Sequence, residues 1–239
     1  MTRRIRIHLV VAILACLMPV AGFALTPYSQ DFEGLDQADP DALANDGWLV
    51  FANVFGPDWG YWYGYGPFPA PNGGEAFSAI ASGEGGADQG AQQLSVYSDY
   101  NNTDHGEGAY IEANVFQEQT IGAEDVTQTW IFDFQAKLGN LEGGTTALAF
   151  IKTLDPDDNF NMTNFITVDM TNIPDTWGDY TVSILIDDTL PGQILQFGFS
   201  NTASNYEGSG VFYDNINFYL EEPTATQSVT WGQIKALHR

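Results

Sequence analysis

Trp130-Ile131-Phe132-Asp133-Phe134-Gln135-Ala136-Lys137-Leu138 is the stretch on which the fold turns: Trp130, Phe132, Phe134, Ala136 and Leu138 alternate with Asp133, Gln135 and Lys137. Successive side chains of a strand point to opposite faces, so an apolar set repeating every second residue marks a strand lying on a core. Tyr180, Val182, Ile184 and Ile186 repeat the pattern against Thr181, Ser183 and Asp187. Working outward, the same reading predicts strands over residues 48–55, 76–81, 92–97, 109–119, 145–153, 164–170, 194–200 and 211–220. Turn residues separate them: Asn72-Gly73-Gly74, Gly83 to Gly86, Gly143-Gly144, Asp155-Pro156-Asp157-Asp158 and Pro191-Gly192. Helical spacing is almost absent before the last dozen residues. Short strands without intervening helices predict an all-β chain, a two-sheet antiparallel β-sandwich of the jelly-roll kind forming a single domain over residues 25–220.

The two ends read differently. Met1-Thr2-Arg3-Arg4-Ile5-Arg6 precedes an apolar run from Ile7 to Val20, and Ala21-Gly22-Phe23-Ala24 offers small residues at −3 and −1 of a cleavage point. That is the layout of a secretory signal, expected over residues 1–24. The run is too short to span a bilayer comfortably, so no membrane insertion is expected. Cys16 follows Ile13-Leu14-Ala15, a poor match to a lipoprotein box. With the signal removed, the single cysteine leaves, and with it any disulfide or thiolate metal site. Residues 221–239 read as a polar linker, Glu221 to Ser228, and a short basic tail with Trp231, Ile234 and Leu237 at helical spacing. A basic amphipathic end after a flexible linker reads as a docking or sorting tail for an envelope or sorting partner, and it resembles Trp-Gly-containing tails of other exported bacterial proteins; a loosely packed end is the alternative. The expected destination is outside the cytoplasm, secreted or at the surface of a bacterial cell, or in the periplasm.

Charge excludes one class of partner. The 239 residues carry 31 acidic and seven basic side chains, a formal charge of −24. Without the signal, Lys137, Lys152, Lys235 and Arg239 stand against the same 31 acids, which gives −27. Such a surface repels nucleic acid and anionic lipid. It suits solubility in salt and the capture of divalent cations.

Catalytic patterns are scarce. His105 and His238 are the only histidines past the signal, and no Gly-x-Ser-x-Gly elbow occurs. A Ser-His-Asp arrangement would have to use His105. Two carboxylates could serve a glycosidase, but among 31 acids a pair carries no information. We therefore read the chain as no enzyme, with a glycan-cleaving one as the third reading.

Phe55-Gly56-Pro57-Asp58-Trp59-Gly60-Tyr61-Trp62-Tyr63-Gly64-Tyr65-Gly66-Pro67-Phe68-Pro69 sets seven aromatics among glycine and proline with no strand-like alternation. One core cannot bury them all. Exposed flat rings stack on pyranose faces, so Trp59, Tyr61, Trp62, Tyr63 and Tyr65 are candidate glycan contacts, with Asp58 and Asn72 beside them for hydroxyls. A lid on the core and a protein contact are the alternatives.

In Tyr213-Asp214-Asn215-Ile216, strict alternation places Asp214 on the apolar side with Phe212, Ile216, Phe218 and Leu220. A carboxylate there needs a partner. A hard cation suits a chain with few basic residues; a backbone donor, Lys137 or Lys152 is the alternative. The acidic loop from Asp155 to Asn161 fails the EF-hand pattern and reads as a hairpin turn.

Asp31-Phe32-Glu33-Gly34, then Gly47-Trp48, and finally Asp214-Asn215-Ile216 resemble the ends of jelly-roll carbohydrate-binding modules. That resemblance implies a first strand through Phe-Glu-Gly pairing with the last strand. It also implies a structural calcium on Glu33 and Asp214, with Asp31 as a third ligand. The expected function is then non-catalytic binding of a polysaccharide or other glycan through the aromatic segment or a concave sheet face. The alternative is a structural, surface-assembly protein that uses the aromatic segment and the tail for protein contacts.

Overall fold

A computed structural model describes residues 24–72 and 74–222. The expected signal and tail fall outside these, except for residue 24 and residues 221–222. The chain forms strands β1 (Tyr28–Gln30), β2 (Leu49–Phe55), β3 (Tyr61–Phe68), β4 (Ser78–Ser82), β5 (Gln92–Val96) and β6 (Tyr110–Thr120). It continues with β7 (Thr129–Leu141), β8 (Thr146–Asp155), β9 (Asn161–Asp169), β10 (Gly178–Leu185), β11 (Ile194–Ser204) and β12 (Ser209–Leu220). One single-turn helix, α1 (Ala42–Asn45), precedes β2.

Two antiparallel sheets result, as alternation predicts. A back sheet runs β10-β7-β12-β5-β4 with β1 also on β12, and a front sheet runs β3-β2-β6-β11-β8-β9. Inward residues of both are apolar and buried: Val50, Ala52 and Val54 from β2 meet Phe132, Phe134 and Ala136 from β7 across the core. Aromatics fill the middle. Phe197 stacks on Phe218 at 4.2 Å and Phe199 on Tyr213 at 3.6 Å. Burying each such ring contributes about 1.5–3 kcal/mol. Trp48 closes one end, its indole N–H donating to the Tyr28 hydroxyl at 2.8 Å, and that hydroxyl donating to Asp46 at 2.5 Å.

Three expectations need correction. The aromatic segment is no irregular loop: from Tyr61 it is β3, the outer strand of the front sheet. Alternation is missing because this outer strand is mostly exposed, with Tyr65 as the side chain it packs against the core.

The second concerns the first strand, which is Tyr28–Gln30. Asp31-Phe32-Glu33-Gly34 turns away after it because Phe32 takes a positive φ of 59° and drops its ring into the core. β1 does pair with β12, Gln30 lying opposite Ile216.

The third is the side on which Asp214 lies. The β7–β12 ladder is irregular between Asp214 and Asn217, where Asn215 has φ 48°. This bulge resets the alternation, so Tyr213, Ile216 and Phe218 are the core residues, while Asp214 shares the outer side with Gln135, its register partner. Asp214 is buried all the same, under the neighbouring connections and not in the sandwich core. The acidic loop is, as expected, the turn of the β8–β9 hairpin, with the Asp155 carboxylate accepting from the Asp157 N–H at 2.9 Å.

Candidate functional site

The β2–β3 turn sets the site. Asp58 accepts the Gly60 N–H at 3.1 Å, and Gly56 donates to the Gly60 carbonyl at 2.8 Å. Asp58 is thus spent on shaping the turn. The turn leaves Trp59 at φ 63° and throws its indole onto Tyr110, stacked at 4.1 Å with planes 14° apart. Phe55 stands 6.0 Å from Trp59 and 5.8 Å from Tyr61. Register explains the grouping: Phe55 is opposite Tyr61 on one side and Tyr110 on the other, and residues opposite one another share a face. Trp59 and Tyr61 remain 56 % and 61 % exposed, so their rings form a platform on the outer face of the front sheet.

The five predicted aromatics do not share one face of the sheet. Trp62 is skipped by the register irregularity between Val54 and Phe55 and lies over Gly56, where a Cβ would come within 2.6 Å of its indole nitrogen. Tyr63 and Tyr65 lie opposite Val54 and Ala52, at the core-side lip of the edge. The Tyr63 hydroxyl donates to Asp104 at 2.5 Å and the Tyr65 hydroxyl to Asp99 at 2.6 Å, while the Asn102 amide donates to both phenol oxygens. Burial and these carboxylates push both phenols above their ordinary pKa. Asn72 lies beyond β3, and among the described residues no hydrogen bond ties it to the ribbon.

Next to the platform lies a polar floor that sequence reasoning missed. Asn53 and Asn114 both donate to Glu112 Oε1, at 2.8 and 3.0 Å. Glu112 is opposite Asn53, and Asn114 opposite Phe51 and Ser200, on the same outward side. Alternation along β6 is the signal that could have sorted these residues outward, but nothing in it says that β6 would pair with β2 and bring Tyr110 to Phe55 and Glu112 to Asn53. Further along, the Lys152 ammonium sits 4.9 Å above the Phe150 ring and 5.6 Å from that of Phe116. Burial pushes this lysine below its ordinary pKa, against the charges of Glu112 and Glu118.

His105 lies in the interior. It lies 3.4 Å from Ser98 Oγ, but both are fully buried and the serine hydroxyl donates to the Ile111 carbonyl at 2.9 Å.

The proposed cation ligands come from two places, Asp31 and Glu33 from the turn after β1 and Asp214 from β12. Asp214 Oδ1 accepts the Asn215 N–H at 2.6 Å, and among the described residues Oδ2 has no partner. Burial, with the charges of Asp31 and Glu33 adding to it, raises this carboxyl to about 7, and the bond from the Asn215 N–H works the other way. Glu33 Oε1 accepts the N–H groups of Ala91 and Gln92 at 2.7 and 2.6 Å. Lys137 pairs with Glu84 at 2.8 Å. Among the described residues no three acid, histidine or cysteine side chains stand close enough to make a metal cluster by themselves.

Hollows lie on the back sheet instead. One of ≈ 520 Å³ is lined by Asp133, Gln135, Asp179, Thr181 and Asn217, among others. A stacking platform is flat and needs no hollow, so this does not displace the front face.

No known family model matches the chain, and no curated protein does. Solved structures are similar in shape. They include the CBM22-1 xylan-binding domain of Paenibacillus barcinonensis, at 14 % identity and TM-score 0.43 over 85 % of this chain and 98 % of that one. A family 16 carbohydrate-binding module is 13 % identical, TM-score 0.40, over 62 % and 86 %. A Stig cyclase from Fischerella sp. TAU is 15 % identical, TM-score 0.45, over 85 % and 96 %. The enzymatically active domain of bacteriophage CBA120 tailspike protein 4 is 13 % identical, TM-score 0.45, over 74 % of this chain; this chain spans 20 % of that one. Nothing about ligand or activity passes from these likenesses to this chain.

Proposed function

We propose that this is an exported, non-catalytic glycan-binding domain whose contact surface is the outer face of the front sheet at its β3 edge. The observation that supports this most is the exposed Trp59–Tyr110 stack beside Tyr61, next to a carboxylate held by two amides. Ring faces receive the C–H side of a pyranose, and Glu112 with Asn53 and Asn114 offers acceptors and donors for its hydroxyls. A glycan array with isothermal titration tests it. Trp59→Ala and Tyr61→Ala are expected to weaken binding about fivefold or more at unchanged melting temperature, since stacking one ring is worth on the order of 1 kcal/mol or more. Absence of binding to any polysaccharide, with concentration-dependent oligomerisation instead, would support surface assembly through the same edge. Release of reducing ends from a bound glycan would overturn the non-catalytic reading.

The structural cation belongs to the same reading. Asp214 is buried with an oxygen that has no donor among the described residues, a state that costs free energy unless a positive partner arrives, and neither described lysine pairs with it. The residues fit calcium, an ion bound by carboxylate, amide and main-chain oxygens. Asp214 would hold it with Glu33 and Asp31 close by, and its chemistry would be charge neutralisation alone.

A further inference from the structure

We infer that the side-chain amide oxygen of Gln93 is a ligand of the cation proposed at Asp214, and that this ion is the joint holding β1 and the β4–β5 connection onto β12. The inference rests on the cation reading and extends it to a residue and to a mechanical role.

The flank of β12 facing β5 has two successive partners. β5 pairs with Val211 to Tyr213, and β1 with Ile216 to Phe218. Asp214 and Asn215 fall in the gap between the two short strands, and the ladder to β7 on the other flank breaks its register there too. Continuing the β5 register by one residue sets Gln93 opposite Asp214.

Gln93 is fully buried, and its Nε2 donates to the Gln89 carbonyl at 2.8 Å. That bond fixes which end of the amide is oxygen, and this oxygen has no donor. The same is true of Asp214 Oδ2. Two buried acceptors on facing residues, neither with a donor among the described residues, call for a positive partner. A hard cation takes six to eight oxygens of mixed origin, so acid side chains need not converge on it.

Three segments meet at this point. The Phe32–Gly34 turn brings Glu33, which caps the N–H groups opening β5. Gly90, at φ 61°, is needed for that approach: a Cβ there would lie 2.6 Å from Glu33 Oε1. The connection also carries Gln89, whose amide donates to Gln135 Oε1 at 2.5 Å, and Asn215 reaches the same oxygen at 2.7 Å. β1 is three residues long, so few ladder bonds hold it without help.

Calcium titration and hydrogen exchange on the purified full chain, stripped with EDTA, test the inference. The wild type is expected to bind calcium, and the ion to slow exchange in residues 28–34, 84–93 and 214–218 while leaving β3 unchanged. Gln93→Leu is expected to weaken calcium binding by about tenfold or more, and Gln93→Glu to tighten it. Should the leucine variant fail to fold, the glutamate variant decides: unchanged or weaker binding overturns the role of Gln93. Wild-type affinity in Gln93→Leu overturns it as well. Calcium binding without slowed exchange in β1 overturns the joint and leaves the cation reading standing. No calcium binding by the wild type overturns both.

Discussion

His105 lies between Tyr100 and Tyr206, with ring centroids 5.9 and 5.3 Å away. Burial holds its imidazole below the ordinary histidine pKa, and Asp99 and Asp104 only partly oppose this. The sign follows from the two states. The unfolded chain takes up the proton as pH falls through about 6.5, while the folded chain resists it. Stability is therefore intact above that pH and is lost as pH falls below it, at up to about 1.4 kcal/mol per pH unit until the folded imidazole also protonates. Comparing chemical denaturation of wild type and His105→Gln from pH 7.5 to 4.5 isolates this share from that of the many carboxylates. Parallel curves would rule the effect out. Gly198 is a residue-scale constraint of another kind. A Cβ there would lie 2.2 Å from the Val115 carbonyl and 2.6 Å from Phe116 Cα, so Gly198→Ala is expected to lower the melting temperature.

At the scale of the element, β3 divides its rings between two jobs. Tyr63 and Tyr65 fasten the ribbon to Asp104, Asp99 and Asn102, whereas Trp59 and Tyr61 leave their faces open. Mutations should divide the same way. Tyr65→Phe removes a donor from Asp99, which is buried, and is expected to cost about 1–3 kcal/mol in urea denaturation. Trp59→Ala is expected to stay within about 1 kcal/mol of wild-type stability and to show its effect in glycan affinity. Equal losses of stability in both variants would mean that the ribbon is a single packing unit with no open platform.

Across the whole molecule, two terms oppose each other. The interlocked rings of Phe132, Phe134, Phe197, Phe199, Tyr213 and Phe218 supply cohesion, and Phe199→Ala is expected to cost about 3–5 kcal/mol. Against this stands a formal charge of −24, which repels itself in the compact state. Raising sodium chloride from 10 mM to 0.5 M shortens the screening length from about 30 Å to under about 8 Å. The melting temperature is therefore expected to rise with salt, and a fall would mean that specific ion pairs outweigh the general repulsion.

Period-two alternation by itself determined the all-β class and most strands, because a strand buried on one face must display its apolar set at every second position. Trp130 to Leu138 and Tyr180 to Ile186 are cases in point. β3 escaped because its exposed edge imposes no pattern on Tyr61 to Phe68. The bulge at Asn215 escaped because a single inserted residue reverses the sides of everything after it, and it moved Asp214 to the outer side, where it is buried for a different reason. Tertiary structure alone decided that Tyr110 stacks on Trp59, and that Gln93 faces Asp214. Each of these pairs joins strands far apart in the chain, and cross-strand register is set by the packing of whole sheets, which no local spacing encodes.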